Sequence, residues 1–133
     1  MEFKDNEAIY LQIAGYVSEQ ILRQPWGPDE KIPSVRDLAS ELQVNPNTVM
    51  RTYEFLQNQG VVYNKCGIGF FVAPDADARV KQFRRERFLQ QELPGFFNTI
   101  SLLGIGFGEL QQRYQEFQAG QAALIPATTD EKQ

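Results

Sequence analysis

The 133-residue sequence contains no histidine and a single cysteine, Cys66. Without histidine there is no Ser-His or Cys-His nucleophilic pair, and the commonest transition-metal ligand is missing. One cysteine excludes an internal disulfide and any multi-cysteine metal site. In its turn Cys66 reads either as an ordinary turn residue or, beside Lys65, as a redox-sensitive thiol. The carboxylates show no tight pairing suited to hydrolysis or to magnesium. Together these gaps argue against an enzyme and against a cofactor. No apolar run approaches the length of a transmembrane helix, the longest mainly apolar stretch being Ile100 to Phe107. Met1 to Tyr10 is charged, with scattered apolar residues, so no cleavable leader is expected. A reducing cytoplasm is the expected location.

What is present is concentrated between Ile32 and Val72. Pro33-Ser34 opens a short helix, with Ser34 placed to cap free N–H groups and Asp37 three residues on. Val35, Leu38, Ala39 and Leu42 form its apolar stripe. Gln43-Val44-Asn45 is too short for anything but a turn. Asn45-Pro46 starts a second helix, because Asn is a strong N-cap and proline at the first position loses only an N–H that has no partner. Val49, Tyr53 and Leu56 share one face, Thr52 lies beside them, and Gly60 ends the helix in the left-handed conformation. Val61-Val62-Tyr63, a turn through Lys65-Cys66-Gly67, and Phe70-Phe71-Val72 then read as a β-hairpin. Two helices joined by a turn of this length fit a helix-turn-helix, whose second helix enters the DNA major groove. Asn47, Thr48 and Arg51 fall on the outward side. Asn can pair bidentately with adenine and Arg with guanine, while Thr serves a base or a phosphate. Gly67 and Gly69 allow a sharp turn and a close approach of backbone to phosphate.

PSVRDLA, then VNPNTVMRTYEFLQNQG, then GIGFFV resembles the DNA-binding domain of the GntR family of bacterial transcription regulators. NPNTV and the short tail behind it are most similar to the YtrA-type subfamily, and the match runs over about residues 6–73. The resemblance implies a dimeric, cytoplasmic, repressor-type regulator on a palindromic operator. It places DNA contacts at Ser34 and Arg36 of the PSVR segment, at Asn45, Asn47, Thr48 and Arg51, and along the wing from Lys65 through Gly67 to Gly69. Cys66 departs from the family, whose wing often carries a basic residue there. Charge also runs against a DNA reader. The net charge is −4, and residues 1–75 hold six Lys/Arg against ten Asp/Glu, where a basic domain is usual. Distribution offsets this, since Arg36, Arg51 and Lys65 sit on the proposed face while Glu2, Asp5, Glu7 and Glu19 lie elsewhere. The competing reading is a winged-helix module for protein–protein assembly without DNA readout.

The flanking segments complete an α+β, mainly α, organisation. Glu7 to Gln24 predicts a helix with Ile9, Ile13, Val17 and Ile21 every four residues, Tyr16 and Leu22 beside them, and Asp5 or Asn6 as cap. Pro25-Trp26-Gly27-Pro28 ends it, with Trp26 plugging helix ends. The winged helix-turn-helix, three helices plus a hairpin wing, is thus expected over residues 1–75. An all-α dimerisation tail follows over 76–118, and a fraying end over 119–133. Within the tail, Ala78 to Leu93 predicts a helix bearing a basic run (Arg79, Lys81, Arg84, Arg85, Arg87), either a solvated face or a contact to flanking phosphates. Pro94-Gly95 restarts it through Phe96, Phe97, Ile100 and Leu103, and Glu109 to Phe117 forms a last short helix. Phe83, Phe96, Phe97, Ile100 and Leu103 are the expected dimer contact, two-fold dimers being the commonest oligomers. Gly104, Gly106 and Gly108 superficially suggest a phosphate loop, but the third glycine is misplaced and only 25 residues follow. About 58 residues after Asp75 are too few for the large ligand-sensing domains of many GntR regulators, and no effector is indicated.

Overall fold

The computed structural model describes residues 1–3, 7–23 and 25–124, with side chains to Ala122. The expected caps Asp5 and Asn6, the helix end at Gln24 and the chain after Leu124 lie outside the described residues. Among the described residues six α-helices and two strands follow in order: α1 Ile9–Leu22, α2 Val35–Leu42, α3 Pro46–Asn58, β1 Val62–Lys65, β2 Gly69–Val72, α4 Ala76–Arg87, α5 Leu93–Leu102 and α6 Phe107–Leu124. A single π-helical turn, Phe88–Glu92, joins α4 to α5. By packing, the chain separates into a first unit ending at Glu86 and a second beginning at Arg87.

The first unit is the winged helix. Both caps of its helix-turn-helix form as local chemistry dictates. Ser34 Oγ accepts the Asp37 N–H at 3.1 Å and Asn45 Oδ1 accepts the Asn47 N–H at 2.8 Å. Gly60 has φ +77° past the end of α3. The apolar stripes then meet: Ile13, Ala14, Val17 and Ile21 of α1, Leu38 and Ala39 of α2, and Val49, Tyr53 and Leu56 of α3 are all buried. Each large side chain there is worth about 1.5–3 kcal/mol relative to exposure. Ile9, the first residue of the predicted stripe, is instead 45% exposed. Trp26 packs on the core, half-buried. The two polar side chains buried among the described residues are both hydrogen-bonded, Ser18 Oγ to the Ala14 carbonyl at 2.7 Å and Thr52 Oγ1 to the Tyr10 carbonyl at 2.8 Å. The wing pairs antiparallel with Val62 opposite Val72 and Lys65 opposite Gly69.

The change in sequence near residue 75 is not where packing changes. Ala76 and Val80 of α4 are buried in the winged-helix core. Phe83 stands edge-on to Phe55, ring centroids 5.7 Å apart, and Arg84 pairs with Glu19 of α1 at 3.1 Å. Phe83 therefore differs from its companions in the expected dimer set, because its ring is half-buried against its own chain.

The described residues of the second unit are helical apart from the turn over 103–106. The helix predicted to run from Ala78 to Leu93 gives way to the π-turn after Arg87, and Pro94 sits in the first turn of α5, where its missing N–H is harmless. Gly104 closes that segment at φ +72°. The last helix runs on to Leu124 instead of ending near Phe117, because Gln118, Ala119, Gln121 and Ala122 are good helix formers. None of its described residues is buried.

Candidate nucleic-acid interface

Alternation along α3 separates core from surface. Val49, Thr52, Tyr53 and Leu56 point inward, which leaves Asn47 and Arg51 exposed and Thr48 half-exposed at the start of the helix. The face is held in place from beneath. Tyr53 Oη donates to the Pro33 carbonyl at 2.7 Å, tying α3 to the entry of α2. Burial pushes this hydroxyl well above the ordinary phenol range, and the Glu41 and Asp37 carboxylates add to the shift. Thr52 Oγ1 bonds both the Tyr10 and Thr48 carbonyls, at 2.8 and 3.1 Å, and so fixes the N-terminal turn of α1 against α3.

Three of the expected contact residues come together. Asn47, Thr48 and Arg51 line one depression of about 370 Å³ with Ala8, Ile9 and Tyr10. The Arg51 guanidinium lies over the Tyr10 ring, 3.9 Å from its centroid. Ser34 and Asn45 are also exposed at helix starts, with their side-chain oxygens engaged in capping. Arg36 is exposed in the first turn of α2.

The wing places a second group. Gly67, at φ +80°, permits the turn in which Ile68 N–H meets the Lys65 carbonyl at 2.9 Å. Lys65 Nζ lies 4.7 Å from the centroid of Phe71, which stacks on Tyr63. Residues 29–32 dock along β2, with Ile32 N–H bonded to the Phe70 carbonyl and Val72 N–H to the Glu30 carbonyl. This brings Lys31 beside Gly69, where a Cβ would approach Lys31 Cε to 2.8 Å. Gly69, at φ +145°, is favoured by its backbone conformation, while the flexible end of Lys31 lying across it could shift aside. Tyr63 donates to Asp29 Oδ1 at 2.8 Å, and this bond raises its pKa.

Electrostatically the face is distinctive. Arg23, Arg79, Arg84 and Arg113 are each paired with a carboxylate at 3.0–3.1 Å. Lys31, Arg36, Arg51 and Lys65 form no ion pair among the described residues, a property shared by Lys81 and Arg85 of α4. Four arginines elsewhere are matched by carboxylates, whereas the cations of this face, like Lys81 and Arg85, remain available to an anion. Sequence reasoning missed Lys31 and Tyr10. Lys31 enters through a bridge to Phe71 that no periodicity announces, and Tyr10 lies among the apolar residues of α1.

Known proteins share this architecture. Residues 9–72 match the family described as bacterial regulatory proteins, gntR family. The HTH-type transcriptional regulator YhcF of Bacillus subtilis is 32% identical, over 90% of this chain and 97% of its own length. The chain belongs to the GntR family. It is a DNA-binding transcription regulator of that type, built as an N-terminal winged helix followed by a helical C-terminal part. The HTH-type transcriptional repressor YtrA of B. subtilis is 26% identical, over 87% of this chain and 88% of YtrA. A GntR-family regulator from Bacteroides thetaiotaomicron superposes with TM-score 0.74 at 46% identity, covering 86% of this chain and 99% of that one. The AraR DNA-binding domain in complex with operator ORR3 matches 55% of this chain and 88% of its own, with TM-score 0.50 and 29% identity. The GntR family and these relatives are regulators, not enzymes. Among the described residues, no helix is long and apolar enough to cross a membrane.

Proposed function

We propose that this GntR-family chain acts as a homodimeric repressor on a palindromic operator, with α3 of each copy in a major groove. The observation that carries the reading is the surface at the start of α3. Asn47, Thr48 and Arg51 gather there over the buried, hydrogen-bonded Thr52, and among the described residues the arginine has no carboxylate partner. Arg51 then reads a guanine edge and Asn47 an adenine, while Thr48 serves a base or a phosphate. Ser34, Arg36 and Asn45 lie at the helix starts flanking this surface, where exposed N-terminal turns favour phosphate. On the wing, Lys65, Gly67 and Gly69 approach the adjacent backbone, with Lys31 as an added cation.

The second unit supplies the dimer contact in this reading. Phe96, Phe97 and Leu103 are 43%, 50% and 66% exposed, and Leu102 and Phe107 more so. Apolar surface on this scale marks an interaction site, and a second copy covers it most economically. Ile100 is half-buried within the same unit, and Phe83 is reserved for its own winged helix. The repressor role rests on the similarity to YtrA, and blocking of a promoter by an operator-bound dimer supplies the physical means. The acidic balance of residues 1–75 favours the competing reading, a module that binds protein without reading DNA.

Selection from random duplexes separates the two. The expected product is an inverted repeat whose half-site centres lie about one helical turn apart, ~34–36 Å. Binding to it should weaken steeply with salt as phosphate counterions are released. Recovery of no enriched sequence by the full chain would contradict the DNA reading.

A further inference from the structure

We infer that Tyr10 is a positioning residue for DNA readout, holding the Arg51 guanidinium flat on its ring so that the donor edge of the arginine is presented to a base. This rests on the reading of α3 as the recognition helix, and it assigns a role on the DNA face to a residue of α1. The geometry is specific. The guanidinium carbon stands 3.9 Å from the Tyr10 ring centroid. At so short a distance a guanidinium that stacks on the ring meets it with the face of its plane. All five N–H donors lie in that plane and stay available for the bidentate contact that arginine makes with guanine. An ion pair would have occupied the same donors, and Arg51 has none among the described residues.

The ring is itself fixed, as a positioning group must be. Phe55 of α3 meets Tyr10 edge-on at a centroid distance of 6.1 Å. Thr52, buried and one residue from Arg51, anchors the Tyr10 carbonyl at 2.8 Å. The backbone of Tyr10 is therefore tied to the turn of α3 that carries Arg51. A free arginine loses substantial rotamer freedom when it docks. One already stacked has surrendered part of it before DNA arrives, so the ring raises affinity only for the base pair that Arg51 reads.

The test uses the full chain and three variants, Tyr10→Phe, Tyr10→Leu and Arg51→Ala. In the free protein, NMR should show ring-current displacement of the Arg51 δ-methylene protons in the wild type and in Tyr10→Phe, and its loss in Tyr10→Leu. On the selected duplex, Tyr10→Phe should bind within about twofold of the wild type, and Tyr10→Leu should bind about five- to tenfold more weakly. On a duplex altered at the pair read by Arg51, Tyr10→Leu and wild type should bind alike. Combined with Arg51→Ala, Tyr10→Leu should add no further loss, the signature of two groups acting as one. Multiplying losses, equal weakening on every duplex, or an Arg51 without ring-current displacement would each overturn the assignment. Undiminished binding by Arg51→Ala would overturn it too, but by removing the readout on which it rests. Normal loss in Arg51→Ala with none in Tyr10→Leu would remove the positioning role alone.

Discussion

The two units of this chain treat their apolar residues in opposite ways. In the first, sixteen hydrophobic side chains among the described residues are buried in one core that draws on α1, α2, α3, both strands and α4. In the second, Phe88, Leu89, Phe96, Phe97, Leu102, Leu103, Phe107, Tyr114 and Phe117 are all at least 41% exposed. Composition does not cause the contrast, since aromatic and aliphatic residues are plentiful in both. Topology does. A helix-turn-helix closed by a wing and a fourth helix surrounds its own core, whereas a helix pair has one apolar side that it cannot cover. A unit of the first kind is expected to be stable by itself, and one of the second kind to gain stability from a partner.

The largest effect is expected from opening the first core. Leu56 is fully buried, and Leu56→Ala should lower stability by about 2–5 kcal/mol, read by denaturant titration. An unaltered midpoint would mean that α3 does not bury this face. Next come the cations of the surface over that core. Arg51→Ala should cost about 1–3 kcal/mol of specific operator binding with the melting temperature unchanged. A similar substitution at Arg36 should instead weaken all duplexes alike and reduce the salt slope, if its partner is a phosphate. In the second unit, Leu103→Ser should weaken self-association by about 1 kcal/mol or more, seen by sedimentation, while leaving the fold of the first unit intact. The smallest effect concerns Glu19, whose carboxyl is held below its usual range by hydrogen bonds from Arg23 and Arg84. A lowered folded pKa stabilises above the unfolded value of about 4.3 and loses that contribution as pH falls through the folded value. Glu19→Gln should therefore flatten the acid limb of the melting-temperature profile and leave neutral pH nearly unchanged.

The same contrast explains what could be read from sequence. Ser34, Asn45, Pro46 and Gly60 act on their own backbone neighbours, so the caps and ends of α2 and α3 were visible as local chemistry. Asn47, Thr48 and Arg51 were visible as the complement of the buried stripe. Other features depend on residues far apart in the chain. Nothing near Lys31 signals that it bridges Phe71, and nothing near Tyr10 signals an arginine above its ring. The extension of the first unit through Glu86 depends on Ala76 and Val80 finding a core, while the linker signal of Pro74 and Asp75 pointed to an earlier boundary. The π-turn at Phe88–Glu92 has no sequence signature that set it apart from ordinary helix. The Ala- and Gln-rich end of α6 has the propensity for helix, while its small polar residues equally suit a loose tail.

The division of labour between the units is tested most directly by sedimentation of residues 1–86 beside the full chain, with a melting curve for each. The account predicts that residues 1–86 melt cooperatively and sediment as a monomer, while the full chain sediments as a dimer. A fragment that still runs as a dimer would place the interface in the winged helix, and one with no melting transition would show that its core is not self-sufficient; either result contradicts the account.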